Sequence, residues 1–172
     1  LDYEAKLRAV SNLNDEMNSK WDYGVLDNGE HRLDTDDYEW GKKYRTIPLD
    51  VLEKEKIGVC WDYVNYQHAK LKSMGLKDHA YMFVMQKSSD PDDIVTHTFS
   101  TFDLNDKQYW IESAAWPKRG VHEINSYNDV AKELMNMYNA HDQPFSIFEY
   151  NPDGMDKGLT DQEFFNKATQ NL

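Results

Sequence analysis

The stretch IVTHTFSTFDLNDKQYWIESAA, residues 94–115, decides the fold, because it predicts two paired strands joined by a tight turn. Residues 94–102 are rich in Val, Thr and Phe, and residues 108–115 alternate between apolar and polar side chains. Both patterns favour β-strands, and Asn105-Asp106 between them is typical of a hairpin turn. The second half of the chain is therefore predicted to contain an antiparallel sheet.

His97 and Glu112 lie on the two strands of this hairpin, and their separation depends on the turn. If residues 103–106 form a four-residue loop, His97 is directly opposite Glu112. A two-residue Asn105-Asp106 loop puts Glu112 opposite Phe99 instead. Both registers leave His97 and Glu112 on one face, because side chains alternate with a period of two. Directly opposed Cβ atoms are roughly 4.5–5.5 Å apart, which permits an imidazole–carboxylate hydrogen bond. A polar cross-strand pair without a catalytic role also fits this pattern.

The rest of the chain predicts helices and two further strands around the hairpin. Helical spacing of apolar residues and capping signals predict the helices, and apolar runs predict the strands. An extended aromatic piece, Trp21-Asp22-Tyr23-Gly24, should end the first helix, and residues 25–45 read as a long polar surface loop. The predicted helices are residues 3–18, 48–56, 60–74, 126–140 and 160–169, and the predicted strands are 80–86 and 144–150.

These elements predict an α+β fold with an antiparallel sheet, in one domain that covers residues 1–172. Of the 172 residues, 40% are hydrophobic and 13% are aromatic, which is enough for a core. No apolar run approaches the roughly 20 residues of a membrane-spanning helix. The sequence therefore predicts a soluble protein.

Charge and cysteine content narrow the expected partners and compartment. The net charge of −12 repels nucleic acid and anionic membranes, so we expect neither as a partner. The single cysteine excludes an internal disulfide and metal sites built on cysteine pairs. A reducing, cytoplasmic location is expected, because an active thiol must stay unoxidised. The chain begins at Leu1 without a Met, which leaves secretion open.

That cysteine, Cys60, lies in Gly58-Val59-Cys60-Trp61-Asp62, where a glycine turn runs into a predicted helix. Unpaired N–H groups and the helix dipole favour an anion at a helix N-terminus, so the pKa of a thiol there falls. Asp62 in the first helical turn complements the dipole, although its charge opposes a lowered pKa of Cys60. A buried, unreactive cysteine is the alternative interpretation, since most free cysteines are of that kind.

Cys60, His97 and Glu112 together meet the needs of nucleophilic acyl chemistry. A thiolate attacks an amide carbonyl, a histidine accepts and returns the proton, and a carboxylate fixes the tautomer of the histidine. The Cys60 backbone N–H, at the helix end, is a natural first donor to the oxyanion. A second donor must come from elsewhere, such as an indole N–H or a phenol O–H.

Three motifs, in order, give the chain a resemblance to a known superfamily. They are Gly-x-Cys-Trp at residues 58–61, His-x-Phe at residues 97–99, and Tyr-Trp-Ile-Glu-Ser-Ala at residues 109–114. This order resembles the transglutaminase-like superfamily of cysteine enzymes, which carry Gly-x-Cys at a helix start, His-x-aromatic on a strand and Trp-x-x-Asp-x-Thr on the next strand. The similarity covers about residues 50–116.

The resemblance implies a papain-like core, with a nucleophile helix packed on an antiparallel sheet. By position, Cys60 is then the nucleophile, His97 the base and Glu112 the third member. It also implies an aromatic residue before the loop, so Trp21 or Tyr23 is expected to complete the oxyanion site. Glu112 departs from the usual Asp and Ala114 from the usual Thr. The superfamily includes proteases, deamidases, cross-linkers and inactive members.

The expected function is a cysteine enzyme that acts on a peptide or glutamine amide through a thioester, with hydrolysis favoured over amine transfer. Its expected partner is a protein or peptide substrate. The alternative is a catalytically inactive domain of the same fold that binds a peptide or protein. No cofactor and no metal are expected, because the remaining histidines lack ligand spacing. The acidic loop with Asp90, Asp92 and Asp93 lacks the regular alternation of a calcium loop.

Overall fold

A computed structural model describes residues 2–33, 40–114, 118–170 and 172, without the side chains of residues 40 and 41. The helices are α1 Tyr3–Lys20, α2 Trp40–Lys43, α3 Leu49–Glu55, α4 Cys60–Ser73, α5 Tyr127–Met137 and α6 Asp161–Ala168. The strands are β1 Asp22–Tyr23, β2 Val25–Asp27, β3 Glu30–Arg32, β4 Ile57–Gly58, β5 Lys77–Gln86, β6 Ile94–Leu104, β7 Lys107–Glu112, β8 Gly120–Ile124 and β9 Phe145–Tyr150.

The prediction of an α+β fold with an antiparallel sheet is confirmed. The main sheet of the described residues has five strands in the order β8-β7-β6-β5-β9, and each neighbouring pair is antiparallel. A short parallel pair, β1 with β4, joins the chain after α1 to the residues just before α4. The sheet therefore carries the hairpin of the sequence prediction at its centre, and the β1–β4 pair brings two distant segments to the start of α4.

The turn between β6 and β7 selects one of the two registers left open by the sequence. Asn105 and Asp106 both have positive φ, 55° and 64°, as a two-residue hairpin turn requires. Leu104 consequently pairs with Lys107, and the ladder runs to the pair of Ser100 with Ile111. If this register is extended by one more pair, Glu112 lies opposite Phe99. Because side chains alternate between the faces of a sheet, Glu112 is then on the same face as His97.

The two faces of the sheet bury different helices. On one face, residues of β5 and β9 pack against α4 and α6 in a cluster that includes Ala80, Met82 and Tyr150. On the other face, Phe83 and Phe99 belong to a cluster that includes α5 residues. Burial of an apolar stripe of each helix against the sheet stabilises this layered arrangement. No helix of the described residues is long and apolar enough to cross a membrane.

Two parts of the sequence prediction are wrong. Residues 25–45 were expected to form an irregular loop, but β2 and β3 pair as a hairpin, and α2 follows. Asn28-Gly29 forms the turn with φ of 51° and 81°, and this dipeptide is the signal that predicts such a hairpin. Residues 34–39 of that loop lie outside the described residues.

The second error is at the edge of the main sheet. Strand β8 was not predicted, and β7 ends at Glu112 rather than at residue 115, which lies outside the described residues. The predicted helices match α1, α3, α4, α5 and α6 to within about three residues. Gly75 ends α4 with a φ of 75°, and Ser126 and Thr160 cap α5 and α6 as the sequence predicts.

Two histidines at the far end of α4 each connect two carboxylates from separate elements. His68 of α4 lies 2.6 Å from Asp78 of β5 and 2.8 Å from Asp153. His79 of β5 lies 3.0 Å from Asp103 of β6 and 2.9 Å from Glu149 of β9. Both ring nitrogens are engaged in each case, and only the protonated imidazolium can donate from both.

The surroundings shift these histidines toward the charged form. Burial lowers the pKa of His68 and of His79, but the carboxylates raise it more, and both pKa values lie above the ordinary value. The stabilisation is therefore fully present below the unfolded-state pKa of about 6.5, and it is lost as pH rises through the folded-state pKa. His68 and His79 should therefore contribute more to the free energy of unfolding in mild acid than in mild alkali.

Replacing His68 or His79 by Gln is expected to lower the free energy of unfolding by about 1 kcal/mol near pH 6, because an ion-pair crosslink is lost. The deficit should shrink as pH rises into the alkaline range, because the wild-type imidazole loses its proton as pH passes its raised folded-state pKa. Urea unfolding of each variant and of the wild type across this pH range measures the difference. His141→Gln, at an exposed position, is the matched control. A deficit that stays constant with pH would contradict the imidazolium assignment.

Candidate active site

Cys60 begins α4, and the turn before it leaves the helix end open. Strand β4 ends at Gly58, and Val59 follows as the N-cap residue with an extended backbone, φ −99° and ψ −179°. Valine has no side-chain oxygen to accept from the first-turn amides, as Asp or Ser at this position would. The Cys60 N–H instead donates to the phenol oxygen of Tyr23, at 3.3 Å. One point of the fold thus carries a thiol, a polar amide and the positive end of a helix.

His97 and Glu112 are joined by a buried hydrogen bond. Nε2 of His97 lies 2.8 Å from Oε1 of Glu112, and the two side chains are only 7% and 2% exposed. The second carboxylate oxygen of Glu112 accepts from the N–H of Ala114, at 3.0 Å. Because Glu112 accepts, Nε2 carries a proton. This leaves Nδ1 as the ring nitrogen available to the thiol.

Cys60 and His97 meet although they come from opposite faces of the sheet. His97 shares a face with Phe83 and Phe99, the face that packs against α5, whereas α4 covers the other face. The ladder between β6 and β7 ends at the pair of Ser100 with Ile111. The positions next to this pair, Thr98 and Phe99 of β6 and Glu112 of β7, line one narrow cavity together with Cys60. These side chains come from both faces of the sheet. The end of pairing therefore lets the start of α4 reach the imidazole.

Charge in this cluster favours a thiolate–imidazolium pair. Burial raises the pKa of the Cys60 thiol, but the hydrogen bond and charge of His97, aided by Thr98, hold it below its ordinary value. Burial lowers the pKa of His97, but Glu112 and Cys60 raise it to about 10. Both shifts favour a proton on the ring and negative charge on the sulfur.

Of the two aromatic residues expected near the oxyanion, the structure brings Tyr23 to Cys60 and leaves Trp21 in the core. The Trp21 ring packs against Tyr63 and Tyr66, with centroids 5.3 Å and 4.6 Å away, and is 7% exposed. Tyr23 is 39% exposed and touches the Cys60 amide. Burial and the neighbouring Cys60 raise the pKa of Tyr23 well above its ordinary value, so its hydroxyl keeps the proton that it could donate.

A buried polar chain behind the site was missed by sequence reasoning. Gln67 of α4 donates to the hydroxyl of Ser113 at 2.8 Å, and that hydroxyl donates to Asn14 of α1 at 2.5 Å. All three side chains are buried. Ser113 directly follows Glu112, so the chain fixes the backbone that carries the carboxylate. No spacing in the sequence signals it, because its members lie far apart along the chain.

The thiol is nearly closed off from solvent. Cys60 is 7% exposed, and the cavity beside it has a volume of about 10 Å³, roughly the space of one water molecule. A larger hollow of about 500 Å³ lies at His68 and His79, two helical turns further along α4, on the order of 12 Å from Cys60. That hollow is too distant to hold the reacting group. An amide substrate therefore reaches the sulfur only if side chains at the start of α4 shift.

Within the described ranges, no cluster of three or more His, Cys, Asp or Glu residues is arranged to hold a metal ion. No family model matches the chain, and no curated protein is significantly similar to it. The assignment of roles in this cluster therefore depends on its geometry and on the three sequence motifs.

Replacing His97 by Ala is expected to raise the thiol pKa, because the charge that favours the thiolate is gone and burial remains. A rise of one unit slows alkylation of Cys60 by iodoacetamide near neutral pH by about tenfold, since only the thiolate reacts. Mass spectrometry of the labelled protein over a pH series measures the midpoint. His141→Gln is the control, and labelling that stays equally fast in the Ala variant would refute the ion pair.

Proposed function

We propose that this chain is a cysteine hydrolase of the transglutaminase-like kind, acting on a peptide or glutamine amide in a protein or peptide substrate. The observation that supports this most is the buried hydrogen bond between His97 and Glu112 beside the Cys60 thiol, whose pKa the imidazole lowers, at the open end of a helix. The arrangement of a nucleophile helix on an antiparallel sheet agrees with the papain-like core implied by the three motifs. Fold alone does not define a reaction, so the proposal is built on the site.

In the first half of the reaction, the Cys60 sulfur attacks the amide carbonyl carbon and a tetrahedral oxyanion forms. The Cys60 N–H and the Tyr23 O–H donate to that oxygen, and the N–H exchanges its acceptor, the Tyr23 phenol oxygen, for the oxyanion. His97 gives its proton to the departing nitrogen, so ammonia or an amine leaves and a thioester remains. Glu112 keeps the ring in one orientation and stabilises its charged form.

In the second half, water replaces the amine. His97, now neutral, takes a proton from the water, the hydroxide attacks the thioester carbon, and the sulfur leaves as the thiolate. The carboxylic acid product departs and the starting ion pair is restored. Hydrolysis is favoured over amine transfer because water, the smaller acceptor, needs no binding site of its own once side chains at the start of α4 have shifted to admit the amide substrate.

The activity is tested on a glutamine-containing peptide, with released ammonia and the mass of the product measured together. Deamidation gives ammonia and an intact peptide of acid mass, whereas proteolysis gives fragments. Cys60→Ser should abolish either reaction, and Glu112→Gln should slow it by roughly 10²–10⁴-fold, because the ring loses its orienting acceptor. Glu149→Gln, at an exposed strand position, is the control. Turnover that persists in Cys60→Ser would exclude the proposed nucleophile.

Tyr23→Phe is expected to reduce turnover by about 10²-fold, because one oxyanion donor disappears while the ring is kept. Alkylation of the thiol should change little, since that reaction develops no oxyanion. Steady-state kinetics with the same peptide measure the loss. Tyr127→Phe removes a hydroxyl from a ring of similar exposure, 38% against 39%, and serves as the control. Equal turnover in Tyr23→Phe and wild type would remove Tyr23 from the oxyanion site.

A second candidate function is a peptide- or protein-binding domain of the same fold without activity. The burial of Cys60 and the small cavity beside it favour this candidate. It predicts a thiol pKa near the free value of about 8.5 and no acylation of Cys60 by an activated ester. The iodoacetamide series described above distinguishes the two candidates, because the enzyme requires a midpoint below that value.

A further inference from the structure

Asp62 is a fully buried carboxylate two residues after Cys60. None of its surface is exposed. It accepts hydrogen bonds from the Tyr44 hydroxyl at 2.7 Å, the Ile47 N–H at 3.0 Å and the Val59 N–H at 3.0 Å. The sequence identified it only as an acidic residue that complements the helix dipole. Its partners show that it joins the first turn of α4 to the segment that precedes α3.

The bond from the Val59 N–H to Asp62 is one half of a capping box, in which the side chain at the third helical position accepts from the backbone N–H of the N-cap residue. Val59 occupies the N-cap position and has no acceptor in its side chain. A polar N-cap residue would accept from the first-turn amides and cover them. Asp62 accepts from the Val59 N–H instead, from inside the turn. The turn is thereby held while the Cys60 N–H stays free of any cap and points to Tyr23.

Gly58 makes room for this carboxylate. A Cβ atom at Gly58 would lie 2.5 Å from Cβ of Asp62 and 3.0 Å from its Oδ2, the oxygen that accepts from Val59. Any larger residue at position 58 must therefore displace Asp62. The glycine of the Gly-x-Cys motif and the aspartate after the cysteine form one packed unit around the nucleophile.

The carboxylate is charged in neutral solution and can accept all three bonds. Burial raises the pKa of Asp62 to about 6, although the donors at Ile47, Tyr44 and Val59 lower it. An uncompensated buried charge costs several kcal/mol, so the three donors are needed together. Tyr44 is itself fully buried and packs edge-on against Trp61, at 5.6 Å between ring centroids. Packing thus fixes both the Tyr44 hydroxyl that donates and the Asp62 carboxylate that accepts.

We propose that Asp62 is a positioning residue for acyl transfer, which holds the Gly58–Val59 peptide and thereby the first turn of α4, so that the adjacent Cys60 N–H faces the oxyanion. The inference rests on the proposed function. It assigns a reaction-specific role to a side chain that does not touch the substrate. Misplacing an oxyanion donor by about 1 Å is enough to lose much of its contribution.

Two small reagents separate this role from general stability. Acylation of Cys60 by p-nitrophenyl acetate passes through an oxyanion, and alkylation by iodoacetamide does not. The measured quantity is the rate of acylation divided by the rate of alkylation, on folded protein near neutral pH. Changes in thiolate fraction or in folded population affect both rates and cancel. The ratio therefore measures how well the oxyanion donors stabilise the transition state of acylation. Release of p-nitrophenol and intact-protein mass spectrometry follow the two reactions, and thermal melting reports stability.

Asp62→Asn keeps the shape but leaves one accepting oxygen in place of two, so the Ile47 N–H on Oδ1 and the Val59 N–H on Oδ2 can no longer both be satisfied. We expect the ratio to fall by about tenfold or more. Gly58→Ala displaces Asp62 from the other side and should lower the ratio in the same way. Tyr44→Phe removes one hydrogen bond but leaves both amide bonds, so it should lower the melting temperature and keep the ratio. Asp50→Asn, in the first turn of α3 and exposed, should change neither.

The outcomes distinguish this inference from the proposed function. If p-nitrophenyl acetate acylates the wild type no faster than a free thiol, both are overturned. If the wild type is acylated rapidly, but the ratio of acylation to alkylation in Asp62→Asn and Gly58→Ala stays within about twofold of the wild-type ratio, only the positioning role of Asp62 is overturned. The same holds if Tyr44→Phe lowers the ratio as much as Asp62→Asn, since the aspartate would then contribute stability alone. Where Asp62→Asn does not fold, Gly58→Ala decides.

Discussion

The buried hydrogen bond between His97 and Glu112 is the interaction on which the site depends. Both side chains are removed from water, and a charge in such surroundings is tolerated only when its hydrogen bonds are satisfied. Glu112 meets this condition with one oxygen on the imidazole and the other on the N–H of Ala114. The ring is then held in one orientation, and its charge is available to the sulfur of Cys60.

This bond would be inaccessible to α4 in a regularly paired sheet. The imidazole lies on the face covered by α5, and an unbroken ladder between β6 and β7 would separate it from the helix on the other side. Pairing stops at Ser100 and Ile111, and the open end of α4 fills the gap. The start of α4 completes this arrangement, because the first amide of a helix has no acceptor within the helix, and the Cys60 N–H is directed to Tyr23 at the site.

The five longer helices, four strands of the main sheet and the facing of His97 and Glu112 could be predicted, because hydrophobic period and turn chemistry are local properties. The register could not, since loops of two and of four residues satisfy the same alternation. Trp21 and Tyr23 looked equivalent in sequence, but Trp21 is the C-cap residue that follows α1, and its ring packs inward. The role of Asp62 depends on Tyr44 and Ile47, which only the tertiary fold brings to it.

The histidine crosslinks have a consequence for how the protein behaves in solution. His68, His79 and Asp62 all bind protons more tightly in the folded chain than in the unfolded chain. Protonation of these three groups in mild acid therefore favours the folded chain, while it also removes part of the net charge of −12 that keeps molecules apart. The stability that these groups contribute and the colloidal solubility of the protein consequently change in opposite directions as pH falls.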